Sequence, residues 1–351
     1  MGSVDVVIPN YNYARWLPDA IDSALSQREV DVRVVVVDNA STDDSIALVE
    51  EAMAREPRLH LIKHPENLGL IASLNDGVDW CTGDYTVNLS ADDMLTPGSL
   101  RRAVTVLDAH PETAFVYGPV TVYREGAPEP RRLPTRDRAV TRIWDGDAWL
   151  GQAARSGHVC IHSPEVVART SLVQEVHYAP ELPHTSDIGM WLRLAARGAV
   201  GHLRGVRQAV YRVHGDSMMH SVSDPVISAM TYRLDAFEVL AEQDAERLAN
   251  AGELLRQARA ALATEGVLTA LYEYDRRRET DTALVDKLLQ AAESIWPEVT
   301  AAPVYRTLAQ ARARSGWSAT RAARYLQANA RARVRHVRCR QFGQWPAYVS
   351  R

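Results

Sequence analysis

The chain has 351 residues, 46% of them apolar, and a formal net charge of −4, which allows one large domain with a smaller one, or two of ordinary size. It holds no run of about 18 apolar residues, so no membrane span is expected. Its three cysteines, Cys81, Cys160 and Cys339, show no paired zinc spacing and no disulfide framework, which fits a reducing cytoplasm.

From the N-terminus, Val4 to Ile8 is an apolar run with an acid inside it and no basic stretch before it. It reads as a first strand rather than a signal peptide. A helix follows with Trp16, Leu17, Ala20, Ile21, Ala24 and Leu25 on one face. Val34 to Val37 is an unbroken β-branched run, the pattern of a strand buried on both faces. Asp43 to Met53 reads as a helix capped by Ser41 or Thr42. Then come a strand at Leu59 to Lys63, a helix at Leu70 to Trp80, a strand at Tyr85 to Leu89, a helix at Ser99 to Ala109 and a strand at Ala114 to Tyr117. This rhythm predicts a mostly parallel sheet covered by helices. Residues 124–140, rich in Pro and Arg, read as a loop or excursion. A helix is expected at Ile188 to Arg197 and a strand at about Gln208 to Val213.

From Pro225 strand signals vanish and amphipathic helices run to about Val337. A boundary near residue 223 divides a catalytic domain, 1–222, from an all-helical domain, 223–351, expected to serve oligomerisation or acceptor binding, with a homodimer as the expected assembly. Charge divides similarly. No Asp or Glu follows Glu298, and eleven arginines lie between Arg306 and Arg351, so the tail carries about +11 and residues 1–298 about −15. Such a tail suits an anionic membrane, an acidic partner, or the acidic body of its own protein. The corresponding expectation is a cytoplasmic protein, with a peripheral position at the inner membrane face left open, and no nucleic-acid partner.

Chemistry gathers where strands end. In open α/β sheets ligands bind beyond the carboxyl ends of the strands. The first strand is followed by Pro9, Asn10, Tyr11 and Asn12, and the buried valine strand by Asp38, Asn39, Ala40, Ser41, Thr42, Asp43 and Asp44. The third is followed by Asn67, Leu68 and Gly69, and the fourth by Ser90, Ala91, Asp92 and Asp93. Any one of these is an ordinary turn or helix cap. Four in succession deliver polar groups to one rim.

With these residues in view the chain resembles family 2 of the glycosyltransferases. The resemblance rests on Val-Ile-Pro-Asn-Tyr-Asn near the N-terminus, on Val36 to Ser45, on Asn67-Leu68-Gly69, on Gly83-Asp84-Tyr85 leading into Leu89 to Asp93, and on Tyr211-Arg212-Val213-His214-Gly215. It covers roughly residues 3–220. It implies the A-type, nucleotide-diphospho-sugar-transferase fold. It also implies inverting transfer by single displacement from a nucleotide-diphosphate sugar, with UDP as the default nucleotide and dTDP or GDP left open, to an unidentified acceptor (saccharide, natural product or peptide).

The resemblance also assigns roles. A divalent cation, Mn2+ or Mg2+, would neutralise charge on the leaving diphosphate. Asp92 falls at the metal-binding carboxylate, with Asp93 beside it either assisting or shaping the turn. His214 would complete the metal site, an imidazole suiting manganese. Ser90 stands where an aspartate often contacts ribose or metal, so the site has one negative charge fewer. Pro9, Tyr11, Ala91 and Arg212 match donor-binding positions, Tyr11 that of the base. Asp38 or Asn39 would meet the uracil edge, and Asn67 would reach the nucleotide or hold its loop. Asp187, in Thr185-Ser186-Asp187 before a helix, aligns with the base that deprotonates the acceptor, a role compatible with capping that helix.

Other features carry less. His158, Cys160 and His162 alternate as metal ligands could on a strand, but a closed site needs more ligands. Trp144, Trp149 and Trp191 suit a sugar acceptor or, more simply, a core. Gln341 to Trp345 resembles the signature of processive synthases without its arginine and far from the catalytic half. A sugar-phosphate nucleotidyltransferase would need a Gly-rich first loop, and Pro9 to Tyr13 has no glycine. A non-catalytic nucleotide-sugar-binding or scaffold protein of the same fold is the alternative, with Ser90 as its support.

Overall fold

The computed structural model describes residues 2–126, 139–215, 225–276, 282–313 and 320–330. Contacts divide the chain into two compact units, one of 1–149 with 161–220 and the other of 150–160 with 221–351.

The first unit alternates strand and helix as the periodicity predicts. Its elements open with β1 (Ser3–Asn10), α1 (Leu17–Leu25), β2 (Asp31–Asp38), α2 (Ser45–Met53), β3 (Leu59–Lys63), α3 (Leu70–Trp80) and β4 (Tyr85–Asn88). They continue with β5 (Met94–Leu95), α4 (Ser99–Ala109), β6 (Thr113–Tyr117), β7 (Val120–Arg124), β8 (Val140–Trp144), the start of α5 (Gly146–Ser156), whose residues from Leu150 on are counted with the second unit, a 3-10 turn at Ser163–Glu165, β9 (Val167–Arg169), α6 (Thr170–Val176), α7 (Ser186–Ala195), β10 (Ala199–Arg204) and β11 (Ala209–Val213).

Eight strands form the main sheet in the order β3-β2-β1-β4-β9-β6-β10-β8, and β5-β11-β7 form a small second one. Within the main sheet β3, β2, β1 and β4 are mutually parallel, and β6 is parallel to β10. Only β9 and β8 pair antiparallel. The sheet is therefore mostly parallel. The valine run explains its burial: Val34 and Val36 join one core with Leu17 and Ala20 of α1, while Val35 and Val37 join Val7, Cys81 and Trp80 on the other face. Alternation across a strand sends successive side chains to opposite faces, and both faces are covered. Close helix approach is built in at Gly77, where an added Cβ would lie 2.2 Å from Val7 Cγ1.

Several local expectations are corrected. Neither Ser41 nor Thr42 caps α2. Asp44 occupies the N-cap position without a side-chain bond, and the Ser45 N–H donates to Asp43 Oδ1. Residues 158–162 form no strand, so the alternation of His158, Cys160 and His162 has no common face. Cys81 is free and buried. Most of the Pro/Arg-rich loop, Asp216 to His220, Cys339 and Gln341 to Trp345 lie outside the described residues.

The second unit is helical, with α8 (Pro225–Gln243), α9 (Ala251–Arg276), α10 (Ala283–Ile295), α11 (Pro303–Ala313) and a helical stretch at 320–330. Its core joins Val267, Ala270, Tyr274, Leu288, Ala292, Val299 and Leu308. Part of the basic tail is neutralised within this unit: Arg312 pairs with Asp286 at 2.6 Å and Arg324 with the buried Asp275 at 2.7 Å. Among the described residues no helix is long and apolar enough to cross a membrane.

Candidate active site

The parallel register brings the carboxyl ends of β1 and β2 side by side, with Asn10 opposite Asp38. Three loops lock together there. Asn10 Nδ2 donates to Asp38 Oδ2 at 2.8 Å and to Ser41 Oγ at 3.1 Å. Asp38 Oδ1 accepts from the Ser41 N–H at 2.9 Å, and Ser41 Oγ accepts from the Asn12 N–H. Asn12 in turn accepts from the Thr42 N–H at 2.7 Å. Ser41 is thus turned back to the rim, the physical reason it is absent from the helix cap. Asn12 and Ala40 take left-handed backbone, at φ 59° and 63°. That conformation costs a non-glycine residue about 1 kcal/mol and recurs at ligand sites.

A second network holds the next loop. Asn39 Nδ2 donates to Asn67 Oδ1 at 2.8 Å, and Asn39 Oδ1 accepts from the Leu68 N–H at 2.8 Å. Asn67 Oδ1 also accepts from the Gly69 N–H. His64 bridges Asn39 Oδ1 at 3.0 Å and Asp76 at 2.7 Å. Asp38 and Asn39 are buried, at 1% and 5% exposure, whereas Tyr11 on the same rim is 44% exposed. Of the residues expected at the base, Tyr11 offers an open ring. Asp38, Asn39 and Asn67 hold the loops around it.

The turn after β4 carries the charged centre. Leu89 continues the ladder by donating to the Val7 carbonyl, and the Asp93 N–H closes the turn on the Ser90 carbonyl. Asp92 Oδ2 lies 2.9 Å from His214 Nε2, although 122 residues separate them. The His214 side chain is fully buried and that of Asp92 is 17% exposed. Among the described residues His214 Nδ1 has no hydrogen-bond partner. Behind them Asp93, 1% exposed, accepts from the Arg212 N–H through Oδ1 at 2.7 Å, while its Oδ2 is buried without a partner. Burial, reinforced by the charge of Asp92, pushes the Asp93 carboxyl well above the usual carboxylate range. The Arg212 guanidinium donates to the Asp92 carbonyl at 2.9 Å and to Asp19 at 3.0 Å. Arg212 thus braces the turn, and Ala91 is buried within it.

Asp92 and His214 supply one hard oxygen and one imidazole nitrogen, a donor pair suited to manganese. Among the described residues no three His, Cys, Asp or Glu side chains converge as a ready metal cage. A cation at Asp92 and His214 fits only as one that draws further oxygens from a ligand or water, as magnesium-type cations on phosphates do.

Asp187 sits in the first turn of α7, with Thr185 at the N-cap position. Its Oδ1 accepts from the Ile188 N–H at 2.7 Å and its Oδ2 from Ser163 Oγ at 3.3 Å. Burial raises its carboxyl above the ordinary aspartate range, partly offset by those two donors. The 3-10 turn carrying Ser163 packs against β4, β5 and β11, and the His162 ring lies 4.7 Å from that of Tyr211. The Tyr178 phenol is raised first by burial and then by the charge of Asp187. Asp187 therefore belongs to the neighbourhood from which the Ser90–Asp93 turn departs.

Other expectations resolve plainly. Trp149 and Trp191 are buried beside Phe115, with ring centroids 5.9 and 5.8 Å from it, and are core. Trp144 lies under the Arg142 guanidinium at 3.6 Å. His158 pairs with Glu265 at 3.2 Å. The sequence reading missed Tyr13, Trp16, Asp19, Ser163 and Tyr178. Trp16, expected on the apolar face of the first helix, has its ring 4.1 Å from that of His214. An aromatic pair just after the Pro9–Asn12 loop was the available signal.

The sheet order, the small second sheet and the loops at one rim define the A-type nucleotide-diphospho-sugar-transferase fold. Within that class, residues 5–156 match the family model of Glycosyl transferase family 2. The chain is similar to the chondroitin synthase of Escherichia coli, 24% identical over 203 residues, which are 58% of this chain and 28% of that protein. It thus spans under a third of that relative. Its fold is similar to S. aureus TarS 1–349 in complex with UDP-GlcNAc, with a TM-score of 0.54 and 15% identity over 87% of this chain and 92% of that one. It is also similar to the mannosyltransferase PcManGT from Pyrobaculum calidifontis in complex with GDP-Man and Mn2+, with a TM-score of 0.50 and 18% identity over 94% and 86%. At such identities the likeness to the two structures shows the fold alone.

Proposed function

We propose that the protein is an inverting glycosyltransferase that moves a sugar from a nucleoside-diphosphate donor, a UDP-sugar in the first instance, to a hydroxyl or similar nucleophile on a saccharide, natural product or peptide. The observation that carries the reading is the meeting of Asp92 and His214 at 2.9 Å, to which a half-buried carboxylate raised above the ordinary aspartate range, Asp187, adds a candidate base. One group of this kind is needed for the leaving diphosphate and the other for the nucleophile.

Asp92 and His214 would hold Mn2+ or Mg2+, which when bound neutralises the charge growing on the departing diphosphate. The rest falls to the chain's own residues. Tyr11 stacks on the base. Asn39 and Asn67 keep the nucleotide loop in register, and Asp93 and Arg212 fix the turn that presents Asp92. Asp187 accepts the acceptor's proton. As that proton leaves, the acceptor oxygen bonds the anomeric carbon and the bond to the diphosphate oxygen breaks, so the nucleoside diphosphate departs and the configuration inverts. A carboxyl lifted by burial is a stronger base once ionised, which suits general-base work near neutral pH.

The test is release of nucleoside diphosphate from a panel of UDP-, dTDP- and GDP-sugars, with and without Mn2+, over a broad acceptor panel. Metal-dependent release from at least one donor, lost in Asp92→Asn and Asp187→Asn, supports transfer. Donor binding without turnover on any acceptor identifies a binding protein instead.

A further inference from the structure

We propose that Trp16 is a positioning residue for cation binding: its indole is the shelf that holds the His214 imidazole against Asp92. The inference rests on the reading of Asp92 and His214 as cation ligands.

A histidine that ligates a metal through one ring nitrogen usually has the other anchored by a carboxylate, carbonyl or water, which fixes the ring plane. Among the described residues His214 lacks such an anchor, because its buried Nδ1 has no hydrogen-bond partner there. Its one polar contact among the described residues is Nε2 to Asp92, the very contact a cation would replace. What holds the plane is aromatic. The Trp16 ring lies 4.1 Å from the His214 ring at 32°, and Tyr13 meets it edge-on at 5.9 Å. Trp16 is itself fixed, 6% exposed, with its N–H and that of Leu17 donating to the Tyr13 carbonyl. Aromatic pairs in tilted or offset contact attract beyond the area they bury. The shelf also begins five residues after Tyr11, so one short segment carries both the exposed ring proposed for the base and the support beneath the proposed ligand.

The test uses the full chain with isotope-labelled histidine. The His214 imidazole resonances are read by NMR without metal, and Mn2+ affinity is read by electron paramagnetic resonance of free Mn2+ in the presence of UDP. In the wild type His214 should show the ring-current shift of a stacked imidazole. Trp16→Leu should remove that shift and weaken Mn2+ binding about tenfold, which is about 1.4 kcal/mol. Trp16→Phe should keep the affinity within about threefold of wild type, and it carries the test if Trp16→Leu does not fold. In a His214→Ala background Trp16→Leu should change Mn2+ affinity less than twofold. Loss of the ring-current shift with unchanged affinity overturns the inference, as does equal weakening with and without His214. Absence of Mn2+ binding by the wild type overturns the cation reading itself, and is seen before any variant is made.

Discussion

The backbone N–H of Arg212 donates to Asp93 Oδ1 at 2.7 Å, joining β11 to the turn after β4 across 119 residues. That bond distinguishes two adjacent aspartates: Asp92 faces the rim, whereas Asp93 is structural support behind it. Asp93→Ala should cost about 1–3 kcal/mol in denaturant unfolding, because it leaves a buried donor unpaired. Asp93→Asn keeps an acceptor and should lose about 1 kcal/mol or less. Asp92→Asn should fold as stably as wild type and lose turnover.

Asp187 sets a pH dependence. Its carboxyl is raised by burial, and a general base works only when ionised. kcat/KM should therefore rise with pH through a pKa above the ordinary aspartate range and fall as pH drops through it. Ser163→Ala removes a donor that favours the ionised form, so the acid limb should move to higher pH. Asp187→Asn should lower kcat by about 10²–10⁴. Because a raised carboxylate is less stable charged in the fold than in the unfolded chain, that variant should be no less stable than wild type above the raised pKa. The pH–rate profiles of the three proteins check this.

Tyr11 is exposed on an otherwise interlocked rim. Stacking of a base on an aromatic ring contributes about 1–3 kcal/mol. Tyr11→Ala should raise the donor KM about tenfold and leave kcat within about threefold, the mark of binding shared by ground and transition states. Steady-state kinetics with saturating acceptor separate the two.

The helical unit has a pH-dependent clamp of its own. Glu265 lies 3.0 Å from Arg233 and 3.2 Å from His158. Burial alone would raise its carboxyl, but His158 and Arg233 outweigh burial and lower it from 4.5 to about 2. The shift corresponds to roughly 3 kcal/mol. That stability should be present above pH about 4.5 and lost as pH falls toward about 2. Glu265→Gln should lower stability by a similar amount at pH 7, leaving the buried Arg233 unpaired, as thermal unfolding between pH 2 and 7 would show.

Much of the first unit was legible because periodicity is local. The valines of β2 and the apolar face of α1 announce themselves within ten residues. β5, with two residues, and β9, with three, are too short for a period, and β10 hides in Ala-Val-Gly-His-Leu-Arg, where glycine reads as a turn. These strands exist because distant partners complete their ladders. The same limit applied at the site. Asp92 and His214 were legible separately, each by its motif. That Trp16 lies beneath His214, that Arg212 braces the Asp92 turn rather than facing outward, and that Ser41 turns back to Asp38 are long-range relationships with no local signature.

The most direct test of the site is anomalous scattering from manganese in crystals grown with a nucleoside diphosphate. The account predicts one strong peak bonded to Asp92 and His214 and to diphosphate oxygens, with Asp187 lining the same cleft. A manganese peak away from both residues, or diphosphate bound on another edge of the sheet, would contradict it.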